Sequence, residues 1–457
     1  MAAAAAAAMA AAGIAETAGD DPGAAMMRMI RELFPICRSI TGDGMRRTLG
    51  IVSRELPAPL RLHEVPTGAP AFDWTVPKEW NIRAAYIETV GEKRRRVVDF
   101  ADNNLHILQY SLPVDRVVPV EELRRHLHTL PETPDWIPYR TAYYAETWGF
   151  CLSQRQADAL TDPAYRVVID TTLATGHLTY GELLMPGESG GEGAEEEVLI
   201  SCHSCHPSLA NDNLSGIAVA TMLARHVAGL ARRRYGYRFL FIPGTIGSLA
   251  WLSRNEHEIV PRIRHGLVLS CVGDSGPVTY KQSRRGDAPV DRIVAHVLKT
   301  SGGPHRITPF IPYGYDERQY CSPGFDMPVG CFMRSPNGTF PEYHTSADNL
   351  DFVKPESLVD SLEKLKEVVA AIEDGDTLYR SLNPKGEPQL GKRGLYRPIG
   401  GQKDAASFDG MTLLWVMNLA DGKHTLFDMA ERSGQSFAAI RLAAEALAEK
   451  GLLERVG

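Results

Sequence analysis

The hydrophobic pattern changes period several times along the chain, and each change marks a different kind of structure. Over Ala24 to Leu56 apolar residues recur three and four apart, as at Met27, Ile30, Leu33 and Phe34, which is the stripe of an amphipathic helix. From Pro66 to about Pro186 that period disappears. Short β-rich runs replace it, Arg96-Val-Val-Asp-Phe100 and Tyr165-Arg-Val-Val-Ile-Asp170 among them, set between turn residues and rich in Pro, Trp and Tyr. This region reads as a β-rich module, and the Gly/Glu-rich run from Gly187 to Glu197 as an exposed connector behind it.

Beyond the connector, strands and helices alternate. Val198-Leu-Ile200 reads as a strand, after which Ser215-Gly216 opens a helix with Ile217, Ala220, Ala224, Val227 and Ala231 on one face. Further strands are predicted over 237–242 and 266–270, with helices over 246–254, 290–300 and 354–374. Such alternation implies an α/β core with a mostly parallel sheet, whose ligands sit outside the carboxyl ends of the strands. Past a Pro/Gly-rich linker over 383–401, three more helices are predicted, at 411–419, from the capping-box spacing Thr425-Leu-Phe-Asp428, and at 436–450 before Gly451. Their order is that of a winged helix. Its third helix carries Arg441, Glu445 and Glu449 four apart on one face, and the stretch 403–457 holds six basic against eight acidic residues. Packing or homo-oligomerisation is therefore expected of this unit rather than DNA binding.

Composition narrows the class further. A chain of 457 residues, 44% hydrophobic and 23% charged, is globular and long enough for several domains, and its formal charge of −7 supplies no reason to expect nucleic acid or anionic lipid as a partner. Met1 to Gly23 is alanine-rich with no Lys or Arg before Arg28, so it reads as a disordered leader rather than a secretory signal. With no run of about 18 apolar residues, a cytoplasmic protein without a membrane span is expected. Seven cysteines, an odd number, read as reduced thiols.

The densest chemistry lies in Ser201-Cys-His-Ser-Cys-His-Pro-Ser-Leu-Ala-Asn-Asp-Asn213. Its Cys-His-Ser-Cys-His core spells the spacing of covalent haem attachment, of a redox dithiol and of half a zinc-thiolate site. Haem attachment goes with export, a redox pair would open a helix, and four-thiolate zinc needs a second close pair, so Cys202 and Cys205 read as small, partly buried fillers. His206 and Asp212 follow the first core strand, Asp274 follows the third, and His344 lies in Pro341-Glu-Tyr-His-Thr-Ser-Ala-Asp-Asn349. Imidazole and carboxylate suit zinc, and a site left open to water is catalytic.

The run His206-Pro-Ser-Leu-Ala-Asn-Asp-Asn-Leu-Ser-Gly216, with Glu342-Tyr-His-Thr-Ser-Ala-Asp-Asn349 far downstream, resembles the co-catalytic zinc aminopeptidases of the M28 type. It is more closely similar to aminopeptidase-like proteins in which an M28-like core carries a β-rich insert and a C-terminal winged helix. Asp73-Trp-Thr-Val-Pro-Lys-Glu-Trp-Asn-Ile82 and Gly314-Tyr-Asp-Glu-Arg-Gln-Tyr-Cys-Ser-Pro-Gly324 belong to the same resemblance. It implies an α/β, M28-type core over 24–65 and 187–380 with a mostly parallel mixed sheet, a β-rich inserted domain with its connection back to the core over 66–186, and a linker with winged helix over 381–457.

The resemblance also implies site roles: His206 as ligand of one zinc, Asp212 as the carboxylate able to bridge two, His344 as ligand of the other, and a cis peptide at Asp212-Asn213. Two departures stand out. Where the family has a glutamate, after a strand that in M28 enzymes supplies a general base and a second ligand, this chain has Gly244, in Pro243-Gly-Thr-Ile-Gly-Ser248; and Ser270 stands near a usual ligand aspartate, with Asp274 four positions on. One zinc or two is thus open. Glu342 and Glu317 are candidates to replace the missing base, or else to salt-bridge Arg318, and Arg140, Tyr144 and Arg318 are candidates for substrate recognition. The expected function is zinc-dependent hydrolysis of an amide or peptide bond at a free amino end of a small peptide or amide-containing metabolite. The alternatives are a catalytically silent binding or scaffold relative, and amide chemistry on a non-peptide metabolite.

Overall fold

The structure is a computed structural model that describes residues 21–188, 196–395 and 409–456. Its centre is an eight-stranded mixed sheet. The strands are β1 (Arg61–Pro66), β2 (His177–Met185), β3 (Glu197–His203), β4 (Gly236–Ile242), β5 (Ile263–Leu269), β6 (Val278–Lys281), β7 (His305–Thr308) and β8 (Val329–Met333). Their spatial order is β1-β2-β4-β3-β5-β8-β6-β7. The middle strands β4, β3, β5 and β8 run parallel, while β1, β2 and β4 pair antiparallel on one side, as do β8 and β6 on the other.

All seven residues of β3 and of β4 are buried, as expected of parallel strands covered on both faces. Val198, Ile200 and Cys202 enter one apolar core and Leu199 the other, so the pleat of a single strand feeds two layers. On the first face lie helices α1 (Pro22–Leu33), α2 (Asp43–Glu55), α3 (Gly216–Ala228) and, beyond α4 (Ile246–Asn255) and α5 (Pro289–Thr300), the long α6 (Pro355–Asp374). The inserted region and α4 cover the second face. Among the described residues, no helix is long and apolar enough to cross a membrane.

Several boundaries differ from the sequence reading. The leader ends earlier than Gly23, because Asp21 caps α1 through the N–H groups of Gly23 and Ala24, with Pro22 at its first position; residues 1–20 lie outside the described residues. The strand β2 lies in the range read as the insert and its connection back to the core, and hydrogen-bonds along its length to β1 and β4 of the main sheet. Left in the insert is a four-stranded antiparallel sheet, Arg96–Asp99, Glu79–Thr89, Ala164–Ala174 and Val114–Pro119 in spatial order, which includes both predicted β-runs. Glu197 already belongs to β3, while 189–195 of the connector lie outside the described residues.

The three C-terminal helices form at Gly410–Leu419, Leu426–Ser433 and Phe437–Glu449, and the capping box at Thr425 and Asp428 is made in both directions at 3.0 Å. Their sheet recruits Leu378–Ser381, which precedes the predicted linker and pairs with Asp421–Thr425 and Leu453–Val456. A four-residue strand directly after α6 shows too little alternation to be read from sequence. The unit is tied to the core by ion pairs: Arg441 reaches Asp374 at the end of α6 at 3.0 Å, and Arg292 of α5 pairs with Asp428 and Glu431.

Candidate metal centre

The carboxyl end of β3 delivers His203, and the loop after it delivers His206 and Asp212 before α3 begins. Ligand atoms of these three buried residues all lie within 4.8 Å of one another. Asp212 Oδ1 stands 2.7 Å from His203 Nε2, while its Oδ2 stands 3.0 Å from His344 Nε2 and 3.9 Å from His206 Nε2. One fully buried carboxylate is thus the meeting point of three imidazoles. The Asp212-Asn213 peptide is cis, as the resemblance implied.

The loop is held by a hydrogen-bonded scaffold on each side. Asp348 accepts the backbone N–H groups of Asn211 and Asp212 at 2.6 and 2.9 Å. Asn213 ties the ends of β3 and β5, donating to the Leu269 carbonyl at 2.9 Å and accepting from the Cys271 N–H at 3.2 Å. Buried Arg38 donates from Nε to the His206 carbonyl at 2.9 Å. From the insert, Tyr139 donates its N–H to the His344 carbonyl at 2.8 Å and sets its ring 5.0 Å from His206 and 5.1 Å from His344. The inserted domain therefore builds one wall of the centre.

These residues fit a metal ion on their own evidence. Asp212 Oδ2 and His344 Nε2 are both buried and face each other at 3.0 Å, yet neither has a hydrogen-bond partner. Two atoms each bound to a tetrahedral zinc at about 2.0–2.1 Å would stand about 3.3 Å apart, close to the spacing seen. Electrostatics point the same way. Burial holds the His206 imidazole well below its usual range, with the Asp212 charge opposing that shift. Burial alone would raise the Asp212 carboxyl, but His206, His203 and His344 together hold it far below the usual carboxylate range. Neutral imidazole and ionised carboxylate are the ligating forms.

Of the residues singled out from sequence, the fold brings His206, Asp212 and His344 together. Asp274 does not join them: its Oδ1 accepts from Gly276 N–H and Ser335 Oγ, both at 2.7 Å, and its Oδ2 from Asn211 Nδ2 at 2.9 Å and Ser335 N–H at 3.2 Å. With both oxygens occupied, it fixes Asn211 instead. Glu317 is fully buried, ion-paired with Lys281 rather than Arg318, and accepts the Tyr315 N–H at 3.1 Å through either oxygen. Glu342 is half-buried two residues from His344, and among the described residues its carboxylate makes no hydrogen bond or ion pair. Arg318 reaches Thr245 Oγ1 at 3.5 Å. Exposed Arg140 bonds the Tyr139 carbonyl at 3.0 Å, and Tyr144, 57% exposed, bonds the Thr75 carbonyl and packs on Trp74.

Sequence reasoning missed His203, Asp348 and Tyr315. The spacing of His203 to His206 is visible in the sequence, but Cys202 and Cys205 beside them make the run read as a thiol motif. Those cysteines are fully buried rather than partly so. Cys202 is core, whereas Cys205 accepts the Gly244 N–H at 3.3 Å and lies 3.5 Å from His206 Nδ1. Burial pushes its thiol up to about 12, which keeps it protonated at neutral pH.

Asp348 gives the centre a pH signature. Burial outweighs its two N–H bonds and pushes its carboxyl up to about 8, from an ordinary 3.8. Between those values the folded state binds the extra proton, so this group's contribution makes stability fall as pH rises. Above the ordinary imidazole range, where the depressed His206 no longer opposes this slope, metal-free protein is expected to lose thermal stability between about pH 7 and 8, and Asp348→Asn to flatten that slope, as read by melting temperature across the range.

The chain can now be set beside known proteins. The model of the family described as "Domain of unknown function (DUF4910)" matches residues 27–375, and that of a winged helix-turn-helix matches 377–455. A Clostridium acetobutylicum protein named "Putative polysaccharide biosynthesis protein with aminopeptidase-like domain" is 49% identical over 95% of this chain and 97% of its own length. The crystal structure of a "putative peptidase" from the same organism superposes with a TM-score of 0.86 at 47% identity, covering 95% of this chain and 96% of that one. At the level of fold alone, BSAP, a zinc aminopeptidase from Bacillus subtilis, matches with a TM-score of 0.55 at 14% identity over 77% of this chain and 94% of its own. With its core matched end to end and a near-full-length relative at this identity, the chain belongs to the DUF4910 family, aminopeptidase-like proteins related in structure to the M28 zinc aminopeptidases and ending in a winged helix.

Proposed function

We propose that the chain is a zinc-dependent amide hydrolase acting at a free amino end of a small peptide or an amide-containing metabolite. The observation that carries this reading is the buried Asp212 carboxylate with three imidazoles converging on it, two of the facing atoms lacking any other partner. Its Oδ1 looks toward His203 and its Oδ2 toward His206 and His344, an arrangement that suits one ion or a bridged pair. Zinc held there would polarise the scissile carbonyl and lower the pKa of its water toward ~7. Tyr139 shields the ligands from solvent on the insert side, and Asp348 keeps the Asp212 backbone in place. Glu342, with its carboxylate unengaged, is the candidate for moving the proton, and Arg140 and Tyr144 of the insert are candidates to meet a carboxylate or sugar group of the substrate. A sugar-linked amide would agree with the name of the Clostridium relative.

A second reading, a catalytically silent binding protein, is favoured by one observation: the space where the family's glutamate would project from residue 244 is filled by Tyr315. Metal analysis and aminoacyl-amide hydrolysis separate the readings. His344→Ala is expected to lower bound zinc and remove hydrolysis; unchanged metal content in the variant would refute the ligand assignment, and zinc-replete wild type inert on a panel of aminoacyl amides would favour the silent reading.

A further inference from the structure

The Tyr315 ring lies against the backbone of Gly244 and face to face with His203, with ring centroids 3.5 Å apart and planes inclined by 24°. A Cβ at residue 244 would fall 2.5 Å from Tyr315 Cζ and nearer still to its hydroxyl, which no real Cβ tolerates. Stacked on His203, the ring has no retreat on that side. The phenol oxygen reaches 3.4 Å from His206 Nδ1, on the edge of that imidazole away from the one turned to Asp212.

The chain around Tyr315 is fastened on both sides. Asp316 accepts the Thr245 N–H at 2.7 Å and the Ser248 hydroxyl at 3.0 Å, pinning the residue after Tyr315 to the start of α4. Glu317, paired with Lys281, accepts the N–H of Tyr315 itself. Two consecutive side chains, those of Asp316 and Glu317, thus serve to place one phenol in the space that glycine leaves.

We infer that Gly244 is a steric requirement for Tyr315, and that Tyr315 is a positioning residue for His206. With Nε2 directed at Asp212 and the metal, Nδ1 carries the proton and the phenol oxygen accepts it, fixing tautomer and ring orientation as outer partners of metal-bound histidines do. The missing glutamate is then not a vacancy to be refilled: its side chain and the phenol cannot share the space. This inference rests on the reading of His206 as a metal ligand.

The test is zinc affinity of the full-length chain, measured by competition with a chelating dye, for wild type, Tyr315→Phe, Gly244→Ala and the double variant, with melting curves to confirm folding. Each single variant is expected to bind zinc about 10-fold more weakly, the range for loss of such a partner. The double variant is expected to lose less than the two single losses combined, because both single changes remove the same hydroxyl contact with His206. The visible spectrum of the cobalt-substituted protein is expected to shift in both singles, which a purely structural role would not produce. Folded Tyr315→Phe and Gly244→Ala proteins that bind zinc within about two-fold of wild type would overturn the inference while leaving the metal reading intact. Wild type that binds no zinc would bring down both.

Discussion

Asp212→Asn is expected to cost about 100-fold or more in zinc affinity and to remove any hydrolytic activity with it. Loss of an outer partner of a metal ligand costs about 10–100-fold, and Asp212 contacts all three imidazoles directly, so its removal exceeds that range. The amide keeps the shape of the carboxylate and one acceptor oxygen, but not the charge that holds the neighbouring imidazoles in register. It also places an NH2 where His203 Nε2 or His344 Nε2 now approaches, at 2.7 and 3.0 Å. The fold should survive, since the backbone N–H of residue 212 still reaches Asp348. Zinc titration calorimetry at neutral pH reads the loss directly, and circular dichroism reads the retained fold.

The largest stability effect is expected far from that centre, at Arg238→Met. Arg238, on β4, binds Glu197 of β3 through two bonds, at 2.6 and 2.9 Å, and also pairs with Glu182 of β2, all three side chains being buried. Three strands are thus linked by one guanidinium. Methionine fills the volume but removes the guanidinium that both carboxylates share, with His63 left 3.2 Å from Glu182. Breaking a buried pair from one side costs about 3–5 kcal/mol, and here one guanidinium serves two carboxylates. Chemical denaturation should show a loss in that range or above, whereas zinc affinity should stay near wild type because the network lies along the strands and away from their carboxyl ends. A loss below about 1 kcal/mol would mean that the carboxylates are satisfied in another way.

The contrast between those two sites bears on what the sequence could reveal. The alternation of strands and helices, the β-rich interruption and the winged helix were readable because each rests on a local period or cap, such as the Thr425-Asp428 box. Which sheet a strand joins is not a local property: His177–Met185 has the same β character as the insert it follows, and only its pairing with Arg61–Pro66 places it in the core. The same limit governs the site. His206, Asp212 and His344 carry motifs, so they could be found. Asp274 was named from proximity to a strand end, and its real partners, Asn211 and Ser335, are long-range contacts that no spacing encodes. Gly244 read as a deletion of chemistry because a glycine shows nothing of what occupies its space. The occupant, Tyr315, is 71 positions away, in the run Gly314 to Gly324, where nothing in the local spacing points to residue 244.

The central claim is that Asp212 and its imidazoles hold a metal ion. Crystals of the full-length protein grown with equimolar zinc, with diffraction recorded on both sides of the zinc absorption edge, test it most directly. An anomalous peak within about 2.0–2.2 Å of a carboxylate oxygen of Asp212 and of at least two of the His203, His206 and His344 imidazole nitrogens is the predicted result. No peak at this cluster, with zinc found elsewhere on the chain or not at all, would contradict it.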